Sequence, residues 1–231
     1  MIVSEAPGRT IAAGTARVLH GIRVNAPDGE PAPTERQDAG VVDFVRRSVH
    51  YPSTIVVGKS EYPGETLWCG PDLFSRSTAE GSWQQIPLGR VPPGAMPFGG
   101  PLWLLGALCS APKDVAIVSE DQVRGVSTTH ISVTLDTRET ERCSPWRLGF
   151  PSRREPTDAF PAEVWLDDNG RVRRMGCDWI DASRGRLGQA LHTIVAKASG
   201  RRTSWVTTEF WDFGVDVVLP KSNRSAARTC A

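Results

Sequence analysis

Residues 163–175 read EVWLDDNGRVRRM, and the reading of this stretch decides the fold. It is strand, turn, strand. Asn169-Gly170 is a strong short hairpin signal, because both residues tolerate positive φ. Two registers compete. A two-residue Asn-Gly loop sets Leu166 opposite Arg173. A three-residue Asp168-Asn169-Gly170 loop with a bulge at Gly170 sets Leu166 opposite Val172. The second is favoured, since it matches apolar with apolar across one face. Trp165 then faces Arg173 as a cation–π pair. The carboxylates of Asp167 and Asp168 are turn residues on this reading. A calcium loop here is disfavoured: counting from Asp167, position twelve is Asp178 rather than glutamate, and the spacing of the other ligands fails.

The same two-residue period recurs on both sides. In GTARVLHGIRV, 14–24, residues Ala16, Val18, His20, Ile22 and Val24 share one face. VVDFVRRSVHY, 41–51, is a second strand candidate, which STIVVG, 53–58, continues after Pro52. Residues 25–40 between them are rich in turn formers and predict a loop. ETLWCGPDLFSR and GSWQQIPL predict two more strands split by STAEG. DVAIVSEDQVRGVSTTHISVTLD, 114–136, is a hairpin whose second strand sets Thr129, Ile131, Val133 and Leu135 on one face. SWVTTEFWDFG alternates again, Gly214 predicts a bend, and VDVVLP reads as a closing strand ended by Pro220. Residues 137–158 have no period and read as an excursion, while 184–200 fit helix, strand or loop.

One segment breaks the period. LWLLGALCSA, 102–111, predicts a helix that is apolar on nearly all sides and is stopped by Pro112. Such a helix is buried or covers a cavity. At this length it is far short of the ~20 residues needed to span a membrane. A Pro/Gly-rich loop, 89–101, precedes it, and its glycine-rich part, 94–100, would let the helix shift as a lid.

Composition excludes several function classes. Lys and Arg total 27 against 26 Asp and Glu, with no charge block that would serve as a nucleic-acid tail or polybasic membrane patch. Eighteen prolines and 22 glycines predict many turns and short helices. The five cysteines, Cys69, Cys109, Cys143, Cys177 and Cys230, form no CxxC pair, and no two of the four histidines have metal-ligand spacing. The cysteines read as small buried hydrophobes, with a disulfide left open for an extracytoplasmic chain. No metal and no cofactor are therefore expected. Asp212-Phe213-Gly214 copies a kinase tripeptide without the rest of that signature, and no nucleophile elbow or phosphate loop is present. The eight tryptophans either fill a core or line an apolar cavity.

The order GTARV, VVDF, VRGVSTTHISVTLD, VWLDDNGRVRRM, EFWDFGVDVVLP resembles the actinobacterial envelope lipoproteins of the LolA/LppX/LprG-like superfamily, over roughly residues 10–220. The resemblance implies a strongly curved antiparallel sheet, a half-open barrel, with helices covering its concave apolar face and a lipid-sized cavity between. It implies a lipid or lipoglycan partner, an extracytoplasmic place at the cell envelope and compatibility with peripheral membrane association. Members of that family carry an N-terminal signal and a lipidated cysteine. MIVSEAPGRTIAAG has neither, so the reading frame is expected to extend upstream; a genuine start at Met1 would imply a cytoplasmic chain.

The expectation is one α+β domain over residues 1–231, with its core at about 10–220 and a frayed tail at 221–231. A non-enzymatic carrier or sensor of an amphiphile is the first functional reading. Its candidate cavity residues are Trp103, Leu104 and Leu108 from the helix and Ile131, Val133 and Leu166 from the sheet. An interaction or signalling module of the same fold with a filled core is the alternative, and an enzyme is third.

Overall fold

The computed structural model describes residues 3–24, 34–37, 39–57, 60–70, 72–77, 81–86, 100–110, 112–136, 159–179 and 204–220. The expected excursions at 137–158 and 184–200, the tail at 221–231, and Cys143 and Cys230 lie outside them.

Two helices and twelve strands make up this part of the fold. Helix α1 is Ala6–Ile11 and α2 is Gly100–Ala107. The strands are β1 Thr15–Val24, β2 Thr34–Gln37, β3 Gly40–Asp43, β4 Ser48–Val57, β5 Ser60–Cys69 and β6 Asp72–Arg76. They continue as β7 Gln84–Ile86, β8 Lys113–Val123, β9 Val126–Asp136, β10 Ala159–Asp167, β11 Val172–Trp179 and β12 Ser204–Trp211. All pair antiparallel in one sheet, in the order β7-β6-β5-β4-β2-β1-β12-β11-β10-β9-β8. Strands β2 and β3 share the place between β1 and β4, one after the other. The two ends of the path, β7 and β8, do not pair with each other, so the sheet is open.

The sheet curves. Its inner face joins Leu73 of β6 to Leu135 of β9 in one continuous apolar cluster that includes the whole buried face of α2. Over β9–β12 the outer face carries charged pairs with Trp165 and Trp211 set among them. At the other end it carries a small second cluster, Leu67, Cys69 and Phe74, against which Trp83 and Leu219 pack.

The β10–β11 hairpin has the favoured register, with Leu166 opposite Val172. Gly170 sits at φ 71°. Its N–H donates to the Asp167 carbonyl at 2.7 Å. The register then slips by one residue, and Trp165 faces Arg174 instead of the expected Arg173. Arg173 is the extra residue of the bulge. It reaches the Asp167 carboxylate at 2.8 Å, while the Arg174 guanidinium lies 5.2 Å from the Trp165 ring centroid. Asp167 is more than a turn residue. Its side chain is 3% exposed. It accepts the backbone N–H groups of Asn169 and Arg171 and the Nε–H groups of Arg171 and Arg173. A buried carboxylate with four donors is a satisfied charge.

Other expectations need correction. Residues 41–51 are not one strand but the β3–β4 hairpin, whose turn runs through Arg47 at φ 56°. The Asp43 carboxylate accepts the Arg46 N–H there at 2.8 Å. Part of the expected loop 25–40 is β2. ETLWCGPDLFSR is itself a hairpin, β5–β6. The closing strand VDVVLP is absent: residues 215–220 carry no ladder. At Gly214, φ 81°, the chain turns away from the sheet, and both sides of β12 are already taken by β1 and β11. The bent segment crosses the outer face instead, held by Thr15, which donates to the Val215 carbonyl at 2.6 Å.

Replacing Gly170 with valine is expected to lower the unfolding free energy by roughly 2 kcal/mol, because a β-branched residue is strained at positive φ. A Cβ there also meets the Arg9 side chain at 3.0 Å. Chemical denaturation checks this, and an unchanged midpoint would contradict the hairpin's role.

Candidate functional site

Helix α2 is the feature around which a site is built. Its sequence, GPLWLLGA, has no charged residue. Leu102, Trp103, Leu104, Leu105 and Ala107 are all between 0 and 4% exposed. A single 3-10 turn, Leu108–Ser110, follows, closed by the Ser110 hydroxyl donating to the Ala107 carbonyl at 2.8 Å. The helix rests on the inner faces of β1 and β11, and the 3-10 turn rests on β9. The expectation that this helix covers the concave side is met.

All six candidate residues come together in the inner cluster. Trp103, Leu104 and Leu108 come from the helical layer, Ile131 and Val133 from β9, and Leu166 from β10.

Helix α1, which the sequence pattern did not suggest, closes one end of the interior. Thr10 is fully buried. Its hydroxyl donates to the Ala6 carbonyl at 2.7 Å and accepts the Val172 N–H at 2.9 Å. The helix is thereby tied to the first residue of β11, next to the Asp167 turn. A polar residue in a short helix gives no sequence signal for a contact 162 residues away.

Four polar side chains interrupt the apolar inner face. His20 of β1 is 4% exposed, and its Nδ1 lies 2.7 Å from the hydroxyl of Thr208 on β12. The Tyr51 ring of β4 stands 6.5 Å from the imidazole, centroid to centroid. The Trp68 indole N–H of β5 lies 3.5 Å from the Tyr51 hydroxyl. Burial pushes the His20 imidazole down to about 4, so it is neutral at physiological pH.

On the outer face the titratable groups pair with one another. His130 Nε2 lies 2.6 Å from Glu163, and its ring stacks on Trp165 at 4.2 Å. Glu65 holds both His50 and Arg76 at 2.8 Å. Burial raises the Glu65 pKa, and the hydrogen bonds from Arg76 and His50 outweigh that and leave it lowered. Glu209 accepts Arg124 and Arg174. Ser119, His130 and Glu163 stand in line, but at 3.5 Å the serine is at the limit of a hydrogen bond, too far for a tight nucleophile–base pair. Among the described residues, no group of three His, Cys, Asp or Glu is placed to hold a metal.

The cysteines correct the sequence reading. Cys69 and Cys109 are disulfide-bonded, and Cys177 is buried in the inner cluster. No spacing in the sequence signalled this. Among the described residues no helix is long and apolar enough to cross a membrane.

No protein-family model matches the sequence, and no curated protein matches it. Solved structures do resemble it. The chain is similar to lipoprotein LppX of Mycobacterium tuberculosis, with 11% identity, 94% of this chain and 98% of that chain covered, and a TM-score of 0.49. It is similar to LprF from Mycobacterium bovis, with 12% identity, 95% and 96% covered, and a TM-score of 0.47. It is also similar to a LolA superfamily protein from Nitrosomonas europaea, with 10% identity, 94% and 96% covered, and a TM-score of 0.27.

His20 carries a pH dependence. Its pKa is 6.5 unperturbed and about 4 in the fold. Between those values the unfolded chain binds more protons, so stability falls as pH drops from 6.5 toward 4 and is level above. Melting temperature against pH is expected to show that slope in the parent and a shallower one in His20→Gln. Identical slopes would contradict the burial of a neutral imidazole.

Proposed function

We propose that this chain is a non-enzymatic carrier or sensor of an amphiphile, burying an acyl chain between α2 and the inner face of the sheet. The observation that carries the reading is the helix itself. A helix without a polar side, buried on every face, lies over the aliphatic side of an open sheet. An acyl chain lying between α2 and the sheet keeps both apolar surfaces covered, so little hydrophobic free energy is lost as the two layers part. Each CH₂ it buries then contributes about 0.8 kcal/mol, and one long chain exceeds the lower range of association costs. Trp103, Leu104, Leu108, Ile131, Val133 and Leu166 are the residues proposed to meet it.

The two disulfide-bonded cysteines support a place outside the cytoplasm, where such bonds form and persist. That agrees with the cell envelope, and with a lipid or lipoglycan ligand taken up at a membrane surface.

One observation favours a second reading. The six candidate residues are no more than 4% exposed, as in the filled core of an interaction module. The carrier reading requires α2 to move, and the filled-core reading does not.

Leu104→Asp and Leu108→Asp distinguish them. Each is expected to abolish uptake of a fluorescent phospholipid that the parent binds, while leaving part of the sheet's circular dichroism signal. If both variants bind like the parent, or the parent binds none, the carrier reading fails and the filled-core module stands.

A further inference from the structure

The inner face is largely apolar, and polar groups gather on it where β1, β12, β4 and β5 approach one another. There His20, Thr208, Tyr51 and Trp68 bring two ring nitrogens, two hydroxyls and an indole N–H into an apolar interior. Burying polar groups costs free energy that a merely packed core avoids by using leucine or valine. The ladder of β1 with β12 sets His20 directly opposite Thr208, so Nδ1 is committed to that hydroxyl. Among the described residues the other ring nitrogen, Nε2, makes no hydrogen bond. With Nδ1 on the hydroxyl, Nε2 is left as a single directed group, a donor in one tautomer and an acceptor in the other.

We infer that His20 Nε2 is the polar subsite of the interior and takes an uncharged oxygen of the bound amphiphile, an ester carbonyl or a hydroxyl. This rests on the carrier reading and names the chemistry next to the acyl chain. Thr208 is the positioning residue, because its hydroxyl holds the ring through Nδ1. The imidazole is neutral in the fold, so it offers a hydrogen bond and no cation. Among the described residues, the arginines paired with carboxylates stand at the outer face, at the Asp167 turn, on α1 or in the β3–β4 turn, and none is seen paired beside His20. A phosphate or free carboxylate near His20 would be desolvated without a counter-charge, which an ester or hydroxyl avoids.

The test compares three probes of equal chain length, monoolein, octadecene and oleoyl lysophosphatidic acid, competing against a pyrene-labelled alkane. In the parent, monoolein is expected to bind more tightly than octadecene, and the lysophosphatidate no more tightly than monoolein. His20→Phe is expected to weaken monoolein about three- to tenfold, the effect of one hydrogen bond, and to leave octadecene unchanged. His20→Gln, which keeps a donor and an acceptor, is expected to recover most of the loss. Equal changes for monoolein and octadecene, or tighter binding of the lysophosphatidate, overturn the subsite and leave the carrier reading standing. Failure of the parent to bind any of the three overturns both.

Discussion

A helix that lacks a polar side must be surrounded, and the rest of this molecule follows from that requirement. Eight strand spacings separate β6 from β9 along the sheet, about 38 Å if the sheet were flat. Helix α2, eight residues long, measures about 12 Å. Yet Leu73 and Leu135 belong to the cluster that contains α2. The helix itself rests on β1 and β11, and the cluster extends from there across the neighbouring strands. The sheet remains open because its two end strands do not meet.

The closed end is held by polar contacts, the middle by apolar ones. At the hairpin, the Asp167 carboxylate fixes the turn and its two arginines, both of which lie over Phe213 at under 5 Å from the ring centroid. Thr10 ties α1 to the same hairpin. These interactions are directional and satisfied, which suits a rigid base. The contacts of α2 to β1 and β11 are of the non-directional kind, and the side chains of α2 are aliphatic or aromatic throughout. A helix held in that way can be exchanged for another apolar body without leaving an unpaired donor or acceptor behind.

The strands with one wet face were legible in the sequence. Strands β9, β10 and β12 show a two-residue period, and Asn169-Gly170 marks the β10–β11 turn with residues that tolerate positive φ. What failed lay in turn geometry and strand placement that no residue pattern signals. The β3–β4 turn places Arg47 at positive φ, and arginine carries no signal for that. Residues 215–219 alternate like a strand, but both sides of the neighbouring β12 were already taken. Asp167 read as one of two turn carboxylates, whereas three-dimensional neighbours make it buried and Asp168 exposed. The six apolar candidates were legible because an uncharged helix has few places to go. His20 sat on the correct face in the sequence, but its partner Thr208 lies 188 residues on, and no local pattern announces such a pair.

The account rests on α2 giving way to an acyl chain. Native mass spectrometry of the protein purified from its own host tests that most directly. The expected result is a population heavier than the 25.1 kDa chain by a discrete lipid mass, released on mild activation, with the released species carrying ester or hydroxyl oxygen. A spectrum holding the bare chain alone, from material that has never met detergent, would contradict it.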